Sequence, residues 1–186
     1  MQVLENVLDT AYLEHLQYLV RKEITWLCLF DSAYGGIQED NTDNFSFGHN
    51  LFNLKKNTES VFFPVFLPAV LTLINRFNYQ AYKLLRVRLG LTTKSGQHGV
   101  IHKPHFDRDE PHKVIIFYIN NSNGPTTIYQ EKNTRSNTIP TIFNIIKQVD
   151  PVANRAFMFD GDYYHSSSKP TINNFRFVLN INFQQQ

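Results

Sequence analysis

With 186 residues, 42% of them hydrophobic, and 16 Phe and 9 Tyr among the aromatics, the chain is sized for one domain with a solid core. Lys and Arg number 18 against 16 Asp and Glu, a formal charge of +2, so there is no charge excess of the kind that marks disorder, and charge alone does not nominate nucleic acid as a partner. The single cysteine excludes a disulfide framework within one chain; Cys28, between Leu27 and Leu29, reads as a small buried hydrophobe.

Residues 1–30 carry Glu5, Asp9 and Glu14 among their apolar residues and lack the basic start and compact apolar core of a secretory signal. No uninterrupted apolar stretch approaches the roughly 20 residues of a membrane helix. The expectation is a soluble protein of the cytoplasm, with no membrane partner.

Asp9 is placed to cap a helix in which Leu13, Leu16, Leu19 and Val20 form one apolar face. A second helix is expected within Phe62 to Phe77, where Pro64 and Pro68 favour an early turn and Leu67, Val70, Leu71 and Ile74 make the stripe. Between them, residues 31–56 have the composition of a loop, with Gly35, Gly36, Asp40, Asn41, Asp43 and Asn44. Phe45, Phe47 and Phe52 in that segment have two readings: anchors that pin a loop to the core, or part of a cover over a site.

From Ala81 the pattern changes to short runs rich in β-branched and aromatic residues, broken by turn residues. The clearest strands are Tyr82 to Leu91, Lys113 to Asn120, Thr126 to Gln130, Arg155 to Asp160 and Phe175 to Phe183. Asn121 to Gly124 reads as a tight turn joining two of them, and Gly161 with Asp162 as another. Many short strands after a helical first part predict a mainly β, α+β fold: a barrel or a two-sheet jelly roll.

The chemistry concentrates in His105-Phe106-Asp107. On a strand, residues two apart face one side, which would aim an imidazole and a carboxylate into one cavity. His165, after the Gly161 turn, is placed for a neighbouring strand to bring it alongside. Two His and one carboxylate on one face of an octahedral ion leave positions open, a set suited to ferrous iron, although zinc accepts similar ligands. Arg176 follows within an apolar strand, and a guanidinium buried among Phe175, Phe177, Val178 and Leu179 demands an anion. The competing readings are a loop histidine capping a turn with Asp107 and a solvent-facing His165 beside Ser166 to Ser168.

His98, His102 and His112 crowd the first motif and read as rim residues. A pairing of His102 with His105 as ligands would need both on one face, which a three-residue interval on a strand denies. Arg86, Arg88, Lys94, Lys103, Arg108 and Lys113 also cluster around the motif. They read either as a basic rim for phosphate or an acidic peptide, or as ordinary solvated surface.

Taken together, Arg86-Val87-Arg88-Leu89, His105-Phe106-Asp107, Phe117-Tyr118-Ile119-Asn120, Asn154 to Asp160, His165 and Arg176 to Phe183 resemble the 2-oxoglutarate and iron(II)-dependent oxygenase superfamily. Within it the chain resembles the prolyl-hydroxylase-like branch, including its small phage and bacterial members, over residues 82–183. The resemblance implies a single oxygenase domain: a double-stranded β-helix (jelly-roll, cupin-like) over 81–183, with residues 1–80 as helical support and loop. It implies Fe(II) held by His105, Asp107 and His165, with 2-oxoglutarate and O2 as co-substrates and ascorbate as an optional reductant. Arg176 would pair with the distal carboxylate of 2-oxoglutarate and Tyr118 would donate a hydroxyl to it, unless Tyr118 is a plain core aromatic.

Two departures stand out: Val178 lies where several relatives have Ser or Thr, and Leu89 and Leu91 lie where many have polar or tyrosyl contacts. Thr93 and Asn180 are weaker candidates for supporting contacts. The implied activity is hydroxylation of an unactivated C–H bond, most readily on a protein or peptide residue such as proline, yielding succinate and CO2. Alternatives are a nucleic-acid or metabolite hydroxylase or demethylase, and a non-oxidative metal-binding cupin-like protein. Phage encoding would place the protein in the host cytoplasm.

Overall fold

The computed structural model describes residues 1–29, 45–96, 100–135 and 140–186. Strand β1 (Gln2–Leu4) leads into helix α1 (Thr10–Lys22), whose N-terminus is closed by the Asp9 carboxylate accepting from the amides of Ala11 and Tyr12 at 2.9 and 3.4 Å. Arg21 and Lys22 in its last turn suit the negative end of the helix dipole. Its buried face is Leu13, Leu16, Leu19 and Val20, as the spacing predicts.

Helix α2 (Phe63–Arg76) contains Pro68, which has no amide proton to continue the ladder. One residue on, the Tyr12 hydroxyl from α1 inserts into the ladder: it accepts from Ala69 N–H at 3.2 Å and donates to the Val65 carbonyl at 2.6 Å. The disruption that proline causes is thereby satisfied by the neighbouring helix, which also locks the two helices together.

The first part of the chain is more than helical support. Besides β1 it supplies β2 (Leu27–Leu29), β3 (Ser46–Asn53) and β4 (Thr58–Glu59). Phe47 and Phe52 therefore sit in a strand rather than in the expected 31–56 loop; Gly35, Gly36, Asp40, Asn41, Asp43 and Asn44 lie outside the described residues. Cys28 is exposed on β2 rather than buried, because β2 lies at the sheet edge.

The remaining strands are β5 (Tyr82–Thr93), β6 (Lys113–Tyr118), β7 (Thr126–Lys132), β8 (Ile145–Val149), β9 (Arg155–Asp160), β10 (Tyr163–Ser167) and β11 (Phe175–Gln185). A major antiparallel sheet runs β1-β9-β6-β11-β5-β3-β2, with β4 on β3, and a minor sheet runs β10-β7-β8. Consecutive strands change sheet at β6 to β7, β8 to β9, β9 to β10 and β10 to β11, the two-sheet jelly-roll arrangement expected from the strand pattern. Asn121 to Gly124 is accordingly a passage between sheets and not a hairpin turn. The Asn123 side chain there accepts from the amides of Thr171, Ile172 and Asn173, and a Cβ on Gly124 would lie 2.3 Å from the Ser168 carbonyl oxygen.

Strand alternation divides the interior in two. Outward-facing Val87, Leu89, Ile115, Phe117, Met158, Leu179, Ile181 and Phe183 pack with α1 and α2. Inward-facing Val114, Ile116, Tyr118, Phe157 and Phe159 pack on Ile128 and Val149 of the minor sheet. On β5 and β11 the inward positions are mostly polar: Arg86, Arg88, Gly90 and Thr92 stand opposite Asn182, Asn180, Val178 and Arg176. This polar stripe inside an otherwise apolar sandwich is where the site lies. No helix among the described residues is long and apolar enough to cross a membrane.

Tyr12→Phe leaves the Ala69 amide and the Val65 carbonyl without their bridge, at a cost of about 1–2 kcal/mol. Urea denaturation should show a lower midpoint with an unchanged slope.

Candidate active site

His105 lies outside regular strand, in a segment tied to β10 and the residue after it by isolated bridges at Ile101–Ser168 and His105–His165 and by the His102 amide donating to the Ser167 carbonyl at 2.9 Å. The His105 amide donates to the His165 carbonyl at 3.0 Å and the His165 amide to the His105 carbonyl at 2.8 Å. That reciprocal pair brings the two imidazoles to a centroid separation of 4.6 Å. Asp107 does not need a strand to join them: ligand atoms of His105, Asp107 and His165 lie within 4.8 Å of one another. The predicted triad is assembled, though by a bridge and a bend instead of the expected strand.

The protonation pattern suits a metal. Nδ1 of His105 lies 3.1 Å from the Lys103 carbonyl and Nδ1 of His165 lies 3.3 Å from the Tyr163 carbonyl. A carbonyl only accepts, so each Nδ1 carries the proton and each Nε2 is left with a lone pair. Burial pushes the His105 pKa down, and burial together with the neighbouring His105 pushes His165 down to about 4. Both rings are therefore neutral near pH 7, the form that binds metal.

Asp107 is held on every side. Arg86 contacts Oδ1 at 2.6 Å, and Asn182 and Asn180 donate to Oδ2 at 2.9 and 3.1 Å. Burial alone would raise its pKa, but the Arg86 guanidinium, helped by the Asn182 hydrogen bond, holds it well below the usual carboxylate range. Asn182 is fully buried and also donates to the Asn180 side-chain oxygen at 3.1 Å, so the two amides form one clamp.

At the other end of the stripe Arg176 is 3% exposed. The Asn120 side chain fixes the backbone on both sides of it, donating to the Phe175 carbonyl and accepting from the Phe177 amide at 2.7 Å. One terminal nitrogen donates to Thr126 Oγ1 at 2.7 Å, and Nε has no partner. Thr92 Oγ1, across the strand pair from Arg176, is likewise buried without a partner. Burial lowers the arginine's pKa, an effect the Tyr118 hydroxyl partly offsets. A buried guanidinium with no carboxylate against it among the described residues, beside an orphaned hydroxyl, is a receptor for an anion.

One cavity contains both ends. It has a volume of about 90 Å³ and is lined by His105, Asp107, His165, Thr92, Thr126, Arg176, Arg88 and Asn180, with Ile116, Val178 and Leu91 as its apolar wall. The residues present fit a divalent ion bound at the triad and a dicarboxylate reaching from it to Arg176. Thr92 Oγ1 and the Arg176 Nε, each buried without a partner, are the groups such a molecule would satisfy.

Several sequence expectations change. The Tyr118 hydroxyl is engaged with Thr126 Oγ1 at 2.7 Å and the Val149 carbonyl at 3.2 Å, and Tyr118 does not line the cavity. Its ring backs Arg176 with 5.5 Å between the guanidinium carbon and the ring centroid. Thr126 and Thr92 take the lining positions, and Thr93 does not. Asn180 makes its supporting contact, on Asp107. Leu89 is buried in the helix-side core, while Leu91 reaches the cavity wall. His102 and His112 are buried, not on the rim, with Nδ1 2.8 Å from Ser167 Oγ and 2.7 Å from the Glu110 carbonyl respectively; His98 lies outside the described residues. Among the described residues, half of the basic cluster is engaged in ion pairs: Arg86 with Asp107, Arg108 with Glu110, Lys113 with Asp160.

No protein-family model and no curated protein matches the chain. Solved structures do. An oxidoreductase of the 2OG-Fe(II) oxygenase family from Burkholderia pseudomallei aligns with a TM-score of 0.67 at 10% identity, over 99% of this chain and 85% of that one. A prolyl hydroxylase from Trichoplax adhaerens, in complex with a hypoxia inducible factor oxygen degradation domain peptide, aligns at 0.63 and 14% over 99% and 83%. A viral collagen prolyl hydroxylase from Paramecium Bursaria Chlorella virus-1, in its 2OG complex, aligns at 0.56 and 11% over 100% and 96%. The chain thus has the fold of the 2OG-Fe(II) oxygenases.

Asn182→Leu keeps the volume and removes the amide that holds Asp107. Metal affinity, read by calorimetric titration with Mn(II), should fall by roughly tenfold or more, and His165→Ala should lose binding altogether.

Proposed function

We propose that this chain is an Fe(II)- and 2-oxoglutarate-dependent dioxygenase that hydroxylates an unactivated C–H bond on a protein or peptide residue such as proline, releasing succinate and CO2. The observation that carries the reading is the shared cavity: an N, N, O metal triad at one end and a buried guanidinium lacking an anion at the other. The neighbours in fold include a prolyl hydroxylase solved with a peptide, which supports the substrate class.

His105, Asp107 and His165 would hold the ion through two Nε2 atoms and a carboxylate oxygen, leaving the remaining positions to ligands other than protein. When bound, iron with 2-oxoglutarate supplies the oxidising power for C–H hydroxylation, through oxidative decarboxylation of the co-substrate. The chain's own residues supply geometry. Arg176, with Thr126 and Thr92, receives the distal carboxylate and so fixes the direction in which the co-substrate lies. Tyr118 acts through Arg176 and Thr126, seating both. Arg86, Asn180 and Asn182 hold Asp107 in its ionised form and in one rotamer. Ile116, Val178 and Leu91 exclude water from the space between.

Arg176→Gln should raise the 2-oxoglutarate concentration needed for half-maximal succinate formation by on the order of 100-fold, the loss of a charge-assisted bidentate contact. The activity itself is checked by incubating proline-containing peptides with the Fe(II)-loaded protein and 2-oxoglutarate in air. A product heavier by one oxygen atom, formed in step with succinate, is expected. Succinate formation driven only by a nucleic acid or a small metabolite would assign a different substrate, and none under any condition would refute the oxygenase reading.

A further inference from the structure

The inward positions of β5 have unequal fates. Arg86 is taken up by Asp107, Gly90 leaves the cavity floor bare, and Thr92 faces Arg176. Arg88 is different. It lines the cavity and makes no hydrogen bond or ion pair among the described residues. Its guanidinium lies flat on β3 at Gly48, where an added Cβ would come within 2.8 Å of Nε and 2.9 Å of Nη2. The missing side chain at Gly48 is what gives the guanidinium its place.

Its position along the stripe separates it from the co-substrate end. The Arg88 backbone stands opposite Asn180, the residue that touches Asp107, but its guanidinium turns sideways onto β3 at Gly48, which pairs with Gly90. Arg176 is carried by β11, on the other side of β5 from β3. A co-substrate running from the ion to Arg176 along β11 leaves the β3 side, where the Arg88 guanidinium lies, to another ligand.

The charge balance points the same way. Asp107 is the carboxylate among the cavity-lining residues, and it faces the ion, Arg86 and Arg88 together. A divalent ion with a 2-oxoglutarate dianion, one end of it on Arg176, leaves the Arg86 and Arg88 end with surplus positive charge. A poorly hydrated cation beside a second cation is unfavourable until an anion arrives.

We propose that Arg88 is a specificity-determining residue that receives an acidic group of the substrate, a carboxylate or a phosphate, so that the substrate is an acidic peptide whose charge lies next to the residue oxidised. This rests on the oxygenase reading above. Ser46 and Phe47 on β3 border the same part of the cavity and form the wall along which the peptide would enter. The sequence showed Arg86 and Arg88 on one strand face but not that, among the described residues, a carboxylate engages Arg86 and none is in contact with Arg88.

The test uses the full chain loaded with Mn(II) and 2-oxoglutarate, and blocked tripeptides with proline at the centre and glutamate, glutamine, lysine or phosphoserine on both sides. Binding is measured by calorimetry. The glutamate or the phosphoserine peptide should bind at least about tenfold more tightly than the glutamine one, the effect of one charge-assisted pair, and whichever binds tighter identifies the acidic group. Arg88→Gln should erase the preference. Gly48→Ala keeps the charge but displaces the guanidinium, and should weaken the preference too, while Arg88→Lys should retain part of it. Equal binding of charged and neutral peptides, a preference that survives Arg88→Gln, or no binding of any peptide would overturn the proposal. So would a finding that Arg88→Gln weakens 2-oxoglutarate binding and leaves peptide binding alone. Failure of 2-oxoglutarate to bind the Mn(II)-loaded wild-type protein would instead refute the oxygenase reading, independently of Arg88.

Discussion

The two reciprocal backbone hydrogen bonds between His105 and His165 are the constraint on which the site depends. They join a segment outside regular strand to the minor sheet, and they set the two imidazoles side by side, tilted by 49° with their centroids 4.6 Å apart. Everything the triad can do follows from that bridge: the Nδ1 atoms point back to carbonyls, the Nε2 atoms point inward, and Asp107, two residues along, falls between them and the major sheet. Because the bridge is made of backbone groups, it does not depend on the identity of the ligands it positions. The ligand set is thus preorganised before any ion arrives, which lowers the ordering cost of binding one.

The second determinant is the polar stripe on β5 and β11. A sheet covered on both faces normally reads as a run of apolar residues, and β6 and β9 obey this. In β5 and β11 the alternate residues Arg86, Arg88, Thr92, Arg176, Asn180 and Asn182 break the pattern. Asp107 engages Arg86, Asn180 and Asn182, whereas the burial of Arg88 and Arg176 has an electrostatic cost that no carboxylate in contact with them among the described residues offsets. Arg88 and Arg176 line the cavity, and Arg86 pairs with its carboxylate, Asp107. Folding such an arrangement is tolerable when bound anions and a cation complete it, and stability should therefore rise with ligand.

Much of this was legible in the sequence, for reasons that can be named. Helix α1 was visible because a capping Asp9 precedes a clean apolar period, and β6, β9 and β11 because β-branched and aromatic residues fill them. The triad and Arg176 were legible because metal ligands and a lone charge in an apolar strand are chemically conspicuous. What escaped were features fixed by tertiary contact. Strand β3 has loop-like composition, with Gly48, Asn50 and Asn53, and is held in the sheet by pairing with β5. Cys28 has apolar neighbours but sits on an edge strand. Thr126, which the sequence did not single out, takes the lining position expected of Tyr118, because the passage between the two sheets brings their hydroxyls together. The clamp of Asn180 and Asn182 on Asp107 was half visible, as polar residues at period two in a hydrophobic strand.

The central claim is that one cavity holds an ion on three side chains and a dicarboxylate between that ion and Arg176. An anaerobic crystal structure with Mn(II) and 2-oxoglutarate tests it most directly. The account predicts the ion at roughly 2 Å from the two imidazole Nε2 atoms and the Asp107 carboxylate, with the far carboxylate on Arg176 and Thr92. An ion coordinated elsewhere, or a 2-oxoglutarate molecule that leaves the Arg176 guanidinium untouched, would contradict it.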